Sequence, residues 1–187
     1  MTPEQDALVA VVRTLEQLGV PHMVTGSVAS SFHGRPRSTH DADIVIDPSP
    51  EQVDALVDRL DAAGYYVDAA HARDAFGRRL QFNVIERKSA FKINLIIRKD
   101  RPWSHEELRR RQPAELSPGV TVSLASPEDT ILSKLESAKK AGRSEKQIDD
   151  ASGVVEVSRS VDRTYIERWA RELDVLDLWR EIAGAEE

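Results

Sequence analysis

Apolar positions along this chain recur at two periods, and the changes of period mark out its elements. Leu8, Val12, Leu15 and Leu18 fall on one face of a helix whose start is signalled by Thr2, Gln5 and Pro3 and whose stop is signalled by Gly19. A short extended run, His22–Thr25, leads into Gly26-Ser27 and a one- or two-turn helix over Val28–His33. His40–Ile46 reads as a strand ending at Asp47-Pro48. Ser49-Pro50 then caps a helix that buries Val53, Leu56, Val57 and Leu60 and closes at Gly64. Two extended runs follow, Arg79–Ile85 and Phe91–Ile97, joined by a polar turn at Glu86–Ala90. In the second run Phe91, Ile93, Leu95 and Ile97 share one face, and Lys92, Asn94 and Ile96 share the other.

The charged stretch Arg98–Arg111 is expected to be helical over part of its length, and Val120–Leu124 to be a last strand. From Ser126 the pattern is helical throughout. Ser126, Pro127 and Asp129 cap a start before Ile131, Leu132 and Leu135, and Gln147–Val157 and Tyr165–Trp179 have helical spacing. The layout is α+β over residues 1–124, with a small mixed sheet flanked by helices, followed by a helical bundle over residues 125–187.

Composition changes the picture mainly by exclusion. The 187 residues carry 26 Lys and Arg against 32 Asp and Glu, a formal charge of −6, which disfavours a protein that simply coats nucleic acid. There is no cysteine, so disulfides, thiolate metal sites and a cysteine nucleophile are excluded. No apolar run approaches the ~20 residues of a membrane span, and Met1–Asp6 is polar; the expectation is a cytoplasmic protein with no membrane partner. Charge is uneven. Residues 98–111 hold six Lys and Arg against three acids, and residues 134–146 hold five against two, whereas residues 147–187 hold eleven acids against five bases. These stretches read either as solvated helix faces or as a local basic rim for a polyanion.

The chemistry is concentrated in Gly26–Ile46. A Gly-Ser bend between an extended run and a short helix offers backbone amides, a hydroxyl and a helix N-terminus to an anion. Asp41 and Asp43 are two apart on a strand, so both carboxylates project from one face and repel one another unless a cation intervenes. Hard oxygen ligands of this kind suit Mg²⁺. A phosphate cradle followed closely by a paired-aspartate strand is what phosphoryl or nucleotidyl transfer asks for.

On these residues the segment resembles the signature of the nucleotidyltransferase fold, the DNA polymerase β-like superfamily. Arg37 and Thr39 ahead of the aspartates are similar to a bacterial branch that includes the AbiEii-like type IV abortive-infection toxins and related tRNA nucleotidyltransferase toxins. Ser126–Leu135, with Lys134, resembles that branch's second helical motif, and Ser144–Val154, with Gln147 and Asp150, its last. The resemblance implies an enzyme that moves an NMP from an NTP to an acceptor: an RNA such as tRNA, a protein or a small molecule. It implies that Gly26 and Ser27 hold the triphosphate and that Asp41 and Asp43 bind two divalent ions, Mg²⁺ or Mn²⁺. Lys134 becomes a point charge on the phosphates, Asp150 faces the active site, and Arg37, Thr39 and Gln147 join the nucleotide site. A cognate toxin or antitoxin is implied as a partner.

One position departs from the pattern. The fold's third carboxylate, on the strand beside the first, is replaced by Asn94, which can offer an oxygen to a metal but neither charge nor a base. Glu86 and Asp150 are the candidates to replace it. The alternative reading follows: an impaired member of the fold that binds a nucleotide or a partner as a regulatory module of toxin–antitoxin type. A third, an interaction protein in which Asp-x-Asp is incidental, has no feature in its favour. His33 and His40 read as packing or surface residues, Arg35, like Arg37, as a phosphate clamp or a loop anchor by salt bridges, and Trp103, Trp169 and Trp179 as core.

Overall fold

The computed structural model describes residues 2–158 and 160–184. Among them the chain runs α1 (Pro3–Gln17), β1 (His22–Thr25), α2 (Gly26–His33), β2 (Asp41–Ile46), α3 (Pro50–Ala62), β3 (Tyr65–Val67), α4 (Ala69–Arg78), β4 (Gln81–Glu86) and β5 (Lys92–Ile97). It continues through α5 (Pro102–Arg109), β6 (Gln112–Ser117), β7 (Val120–Leu124), α6 (Pro127–Lys140), α7 (Glu145–Val157), α8 (Arg163–Glu172) and α9 (Leu176–Ala183). The chain divides into two compact units: Met1–Val24 with Thr39–Leu124, and Thr25–Ser38 with Ala125–Glu187. No helix among the described residues is long and apolar enough to cross a membrane.

The first unit is built on a mixed sheet in the order β3-β4-β5-β2-β1-β7-β6. β2 pairs with β5 in parallel and β1 with β7 in parallel, while β3–β4, β4–β5 and β6–β7 are antiparallel. Because side chains alternate along a strand, register sorts them by face. Ile44, Ile46, Val84, Ile93, Leu95 and Phe82 lie on one face and are buried. Tyr65 shares that face, and its hydroxyl donates to Ala7 O of α1 (3.0 Å). Asp41, Asp43, Lys92, Asn94 and Asn83 lie on the other face. The starts of α1 and α3 are closed by reciprocal capping boxes: Thr2 with Gln5, as the pattern predicts, and Ser49 with Gln52, where the pattern gives only the Ser49 cap.

In the second unit α2 packs on α6 and α7, α6 also packs on α8, and α9 packs on α7 and α8. Ile131, Leu132, Leu135, Ile166, Trp169 and Trp179 are buried among these helices. A polar network pins the start of α6: the Ser126 hydroxyl and the Tyr165 hydroxyl each donate to Asp129 (2.7 Å), and Ser126 Oγ accepts from Asp129 N–H (3.1 Å). α7 carries a glycine in mid-helix, a residue that costs about 1 kcal/mol there relative to alanine. Its use is a close approach. A Cβ on Gly34 would stand 2.7 Å from the backbone of Gly153 and Val154, and a Cβ on Gly153 would stand 2.9 Å from Arg35 Nε.

The structure departs from the sequence pattern in four places. Residues 65–78, which the pattern leaves unassigned, hold the three-residue β3 and the alanine-rich α4. Arg79 does not open a strand but ends α4 in the left-handed region (φ 51°), and β4 begins at Gln81. β6 forms at the sheet edge, where Pro113 is tolerated because an edge strand need not donate on both sides. The expected helix over Tyr165–Trp179 is two helices, α8 and α9, broken at Asp174 (φ 56°), whose backbone and side chain both take Lys139.

Candidate active site

Each unit carries one cluster of the residues singled out by sequence. In the first unit the parallel register sets Asp41 opposite Lys92 and Asp43 opposite Asn94. The Asn94 amide donates to Asp43 Oδ1 (2.8 Å) and to Asp41 Oδ2 (3.5 Å), while Lys92 Nζ lies 3.6 Å from the same Asp41 oxygen. The Thr39 hydroxyl is bonded to both the backbone and the carboxylate of Asp41 (2.9 and 3.2 Å), which fixes that side chain at the mouth of β2. Lys92 is the residue that sequence reasoning passed over; its signal was its place two residues before Asn94 on the same face.

Among the described residues no three His, Cys, Asp or Glu side chains gather as a metal-binding group. The donor set is two carboxylates and one carboxamide. It is a set of hard oxygens and fits one divalent cation of the magnesium class. Asn94 Oδ1 is buried without a hydrogen-bond partner, at the other end of the amide from the aspartates, and joins the set only when the amide turns. Glu86 does not complete it: it lies on the opposite face of β4, opposite Tyr65, and is taken by the amides of Lys88 and Ser89.

In the second unit Ser27, Arg37, Lys134 and Asp150 meet. Arg37 grips Asp150 with two hydrogen bonds (Nε to Oδ1 and Nη2 to Oδ2, both 2.7 Å), and Lys134 Nζ donates to Oδ2 at 2.7 Å. Lys134 is only 3% exposed, so it is not the solvated helix lysine that its position alone would suggest. Burial alone would raise the Asp150 carboxyl, but the hydrogen bonds and charges of Arg37 and Lys134 outweigh it and hold its pKa at about 2. Ser27 Oγ accepts from Arg37 Nη2 (2.7 Å) and from Lys134 Nζ (3.4 Å). With both lone pairs engaged, the hydroxyl has its own proton to give, and an anionic oxygen is the natural taker. Gly26, at φ 62°, opens α2, whose N-terminus has no side-chain cap, so its first amides have no side-chain acceptor.

The other candidates fall outside these contacts. Arg35 is exposed and anchors to Asp149 and Glu156. His33 donates from Nε2 to Ala125 O (2.8 Å), and burial pushes its pKa down. His40 is exposed. Gln147 sits in the first turn of α7 with Oε1 buried and unpartnered. Trp103 is buried beneath the Arg101 guanidinium (4.9 Å), a packing role.

Residues 24–150 match the family described as nucleotidyl transferase AbiEii toxin, Type IV TA system. No curated protein sequence matches the chain. Solved structures resemble it at the level of fold. An antigenic nucleotidyltransferase-like protein from Paracoccidioides brasiliensis aligns with a TM-score of 0.64 at 16% identity, over 95% of this chain and 87% of that one. The antibiotic-resistance factor ANT(2'')-Ia, in its solution structure, aligns at 0.55 and 15% identity, over 94% and 97%. The lincosamide antibiotic adenylyltransferase LnuA, bound to lincomycin, aligns at 0.54 and 11% identity, over 80% and 94%.

Proposed function

From the premise that this chain belongs to the AbiEii nucleotidyl transferase toxin family, we propose that it transfers an NMP from an NTP to an acceptor hydroxyl or phosphate. The observation that carries the reading is the pair Asp41 and Asp43 on one face of β2, beside the buried amide of Asn94. The acceptor oxygen attacks the α-phosphorus, the bond from that phosphorus to the β-bridging oxygen breaks, and pyrophosphate departs with its charge. In the second unit, taken by itself, the Ser27 hydroxyl is set to offer a hydrogen bond to a phosphate oxygen. Lys134 and Arg37 place positive charge behind it, and the amides at the start of α2 add their dipoles. Asp41 and Asp43, with Asn94 Oδ1 once that amide turns, would hold a divalent ion, Mg²⁺ or Mn²⁺, which would supply charge neutralisation on the triphosphate.

Thr39 serves the nucleotide site by orienting Asp41, to whose backbone and carboxylate its hydroxyl is bonded. Gln147, with an unpartnered carbonyl oxygen in the first turn of α7, is the candidate to accept a hydrogen bond from the base or ribose. No carboxylate stands where the acceptor's proton is removed, because Asn94 occupies that register; the proton leaves to solvent, and transfer is slow. By family, an RNA such as tRNA is the leading acceptor and a cognate antitoxin the partner expected.

Asn94 also favours a second reading, a member of the fold that binds nucleotide or a partner without turnover. The test is incubation with each α-labelled NTP, Mn²⁺ and total RNA, beside the variant carrying Asp41→Ala and Asp43→Ala. Label in one RNA band with the native chain, absent with the variant, supports transfer. Should the native chain stay silent while Asn94→Asp transfers label, the second reading takes its place.

A further inference from the structure

The reading above has the carboxylate pair serve nucleotidyl transfer, and the inference here rests on it. We propose that Asn94 and Lys92 make the Asp41–Asp43 pair a receptor for a divalent metal–nucleoside triphosphate complex and not for a divalent ion arriving alone. Two carboxylates on one strand face repel, and a bare ion would ordinarily relieve that repulsion. Here it is relieved from within the protein. The Asn94 amide bridges the two, at 2.8 Å to Asp43 and 3.5 Å to Asp41, and Lys92 stands 3.6 Å from the Asp41 oxygen that the amide also faces. An incoming ion must displace two N–H groups and compete with an ammonium. It must also give up its own water, which Mg²⁺ does reluctantly.

The other end of the same side chain shows how the exchange is made. Asn94 is 6% exposed, and its Oδ1 is buried without a partner. Half a turn about χ2 brings that oxygen toward the carboxylates. Three oxygens facing one another are favourable only around a cation, so the full donor set exists only in the loaded state. Even then it carries two negative charges and not three. A cation already bound to a triphosphate brings the missing anionic ligands with it. Metal and nucleotide are therefore strongly coupled, each raising the affinity for the other by the same factor.

The experiment is a titration of the full chain with Mn²⁺, free ion being read by electron paramagnetic resonance, alone and with α,β-methylene analogues of the four NTPs. The native chain is expected to bind Mn²⁺ about tenfold or more tightly with an analogue than without. Asn94→Asp is expected to bind Mn²⁺ alone about tenfold more tightly than the native chain, and Lys92→Met to do so by a few-fold. The Lys92 variant keeps the amide bridge and so carries the test if the third carboxylate prevents folding. Equal affinity of native chain and both variants for Mn²⁺ alone, or an affinity indifferent to the analogue, overturns the proposal and leaves transfer standing. Absence of all binding, unchanged by Asp41→Ala, overturns it together with the reading beneath it.

Discussion

The aspartates of β2 and Asp150 of α7 are the same side chain in opposite circumstances. Asp150 is buried and held by three charge-assisted hydrogen bonds from two cations, with its pKa near 2. The Asp41 side chain is 38% exposed, and its carboxylate is met by an amide at 3.5 Å and an ammonium at 3.6 Å. One arrangement is complete without a ligand and contributes to the fold; the other is a crowded pair whose repulsion a cation would relieve. Under the proposed function, the carboxylates that serve the chemistry are the less well satisfied ones. Asp150 holds Lys134 and Arg37, and with them Ser27, in place.

The contrast breaks most visibly in rate. Asp41→Ala with Asp43→Ala should lower label transfer by about 10³-fold, while the denaturant midpoint moves by less than about 1 kcal/mol equivalent. Asp150→Ala should do the reverse in stability. It leaves the buried Lys134 and the half-buried Arg37 without their carboxylate and should cost about 3–5 kcal/mol in urea unfolding. A loss below about 1 kcal/mol would show that Asp150 is not the organising charge of its unit. Gly34→Ala sharpens the point at the next level down, since its Cβ would meet backbone at 2.7 Å, where nothing flexible can yield. A loss of about 1–3 kcal/mol is expected, more than for Gly153→Ala, whose Cβ meets the tip of the Arg35 side chain.

The smallest effect is on pH dependence. A carboxyl depressed from its usual value of about 3.9 to about 2 stabilises the fold above pH 4 and loses that contribution as pH falls toward 2. It is worth about 2 kcal/mol, so urea midpoints measured between pH 5 and pH 2 should fall less steeply for Asp150→Asn than for the native chain.

What could be read along the chain was what is encoded locally. The capping box at Thr2, the cap at Ser49 and the alternation of β5 are signals within a few residues, and each formed where expected. The short strand β3 and the alanine-rich α4 carry too few large apolar side chains to announce themselves; Ala72 and Ala75 are buried, yet alanine marks no face by itself. The break at Asp174 depends on Lys139, and the burial of Lys134 on Asp150, partners that only the fold brings together. Gly153 lies inside a motif that was legible, but its reason is Gly34, far upstream. The grouping of Thr25–Ser38 with the C-terminal helices is likewise a matter of packing, with no mark in the hydrophobic pattern.

The direct test of nucleotidyl transfer is a pair of reactions that differ only in which phosphorus of the NTP is labelled, run with Mn²⁺ and total RNA. The account predicts that α-label appears in the acceptor and γ-label only in released pyrophosphate, with both signals lost when Asp41 and Asp43 are alanine. Label from the γ-position in the acceptor, or transfer that survives removal of both aspartates, would contradict it.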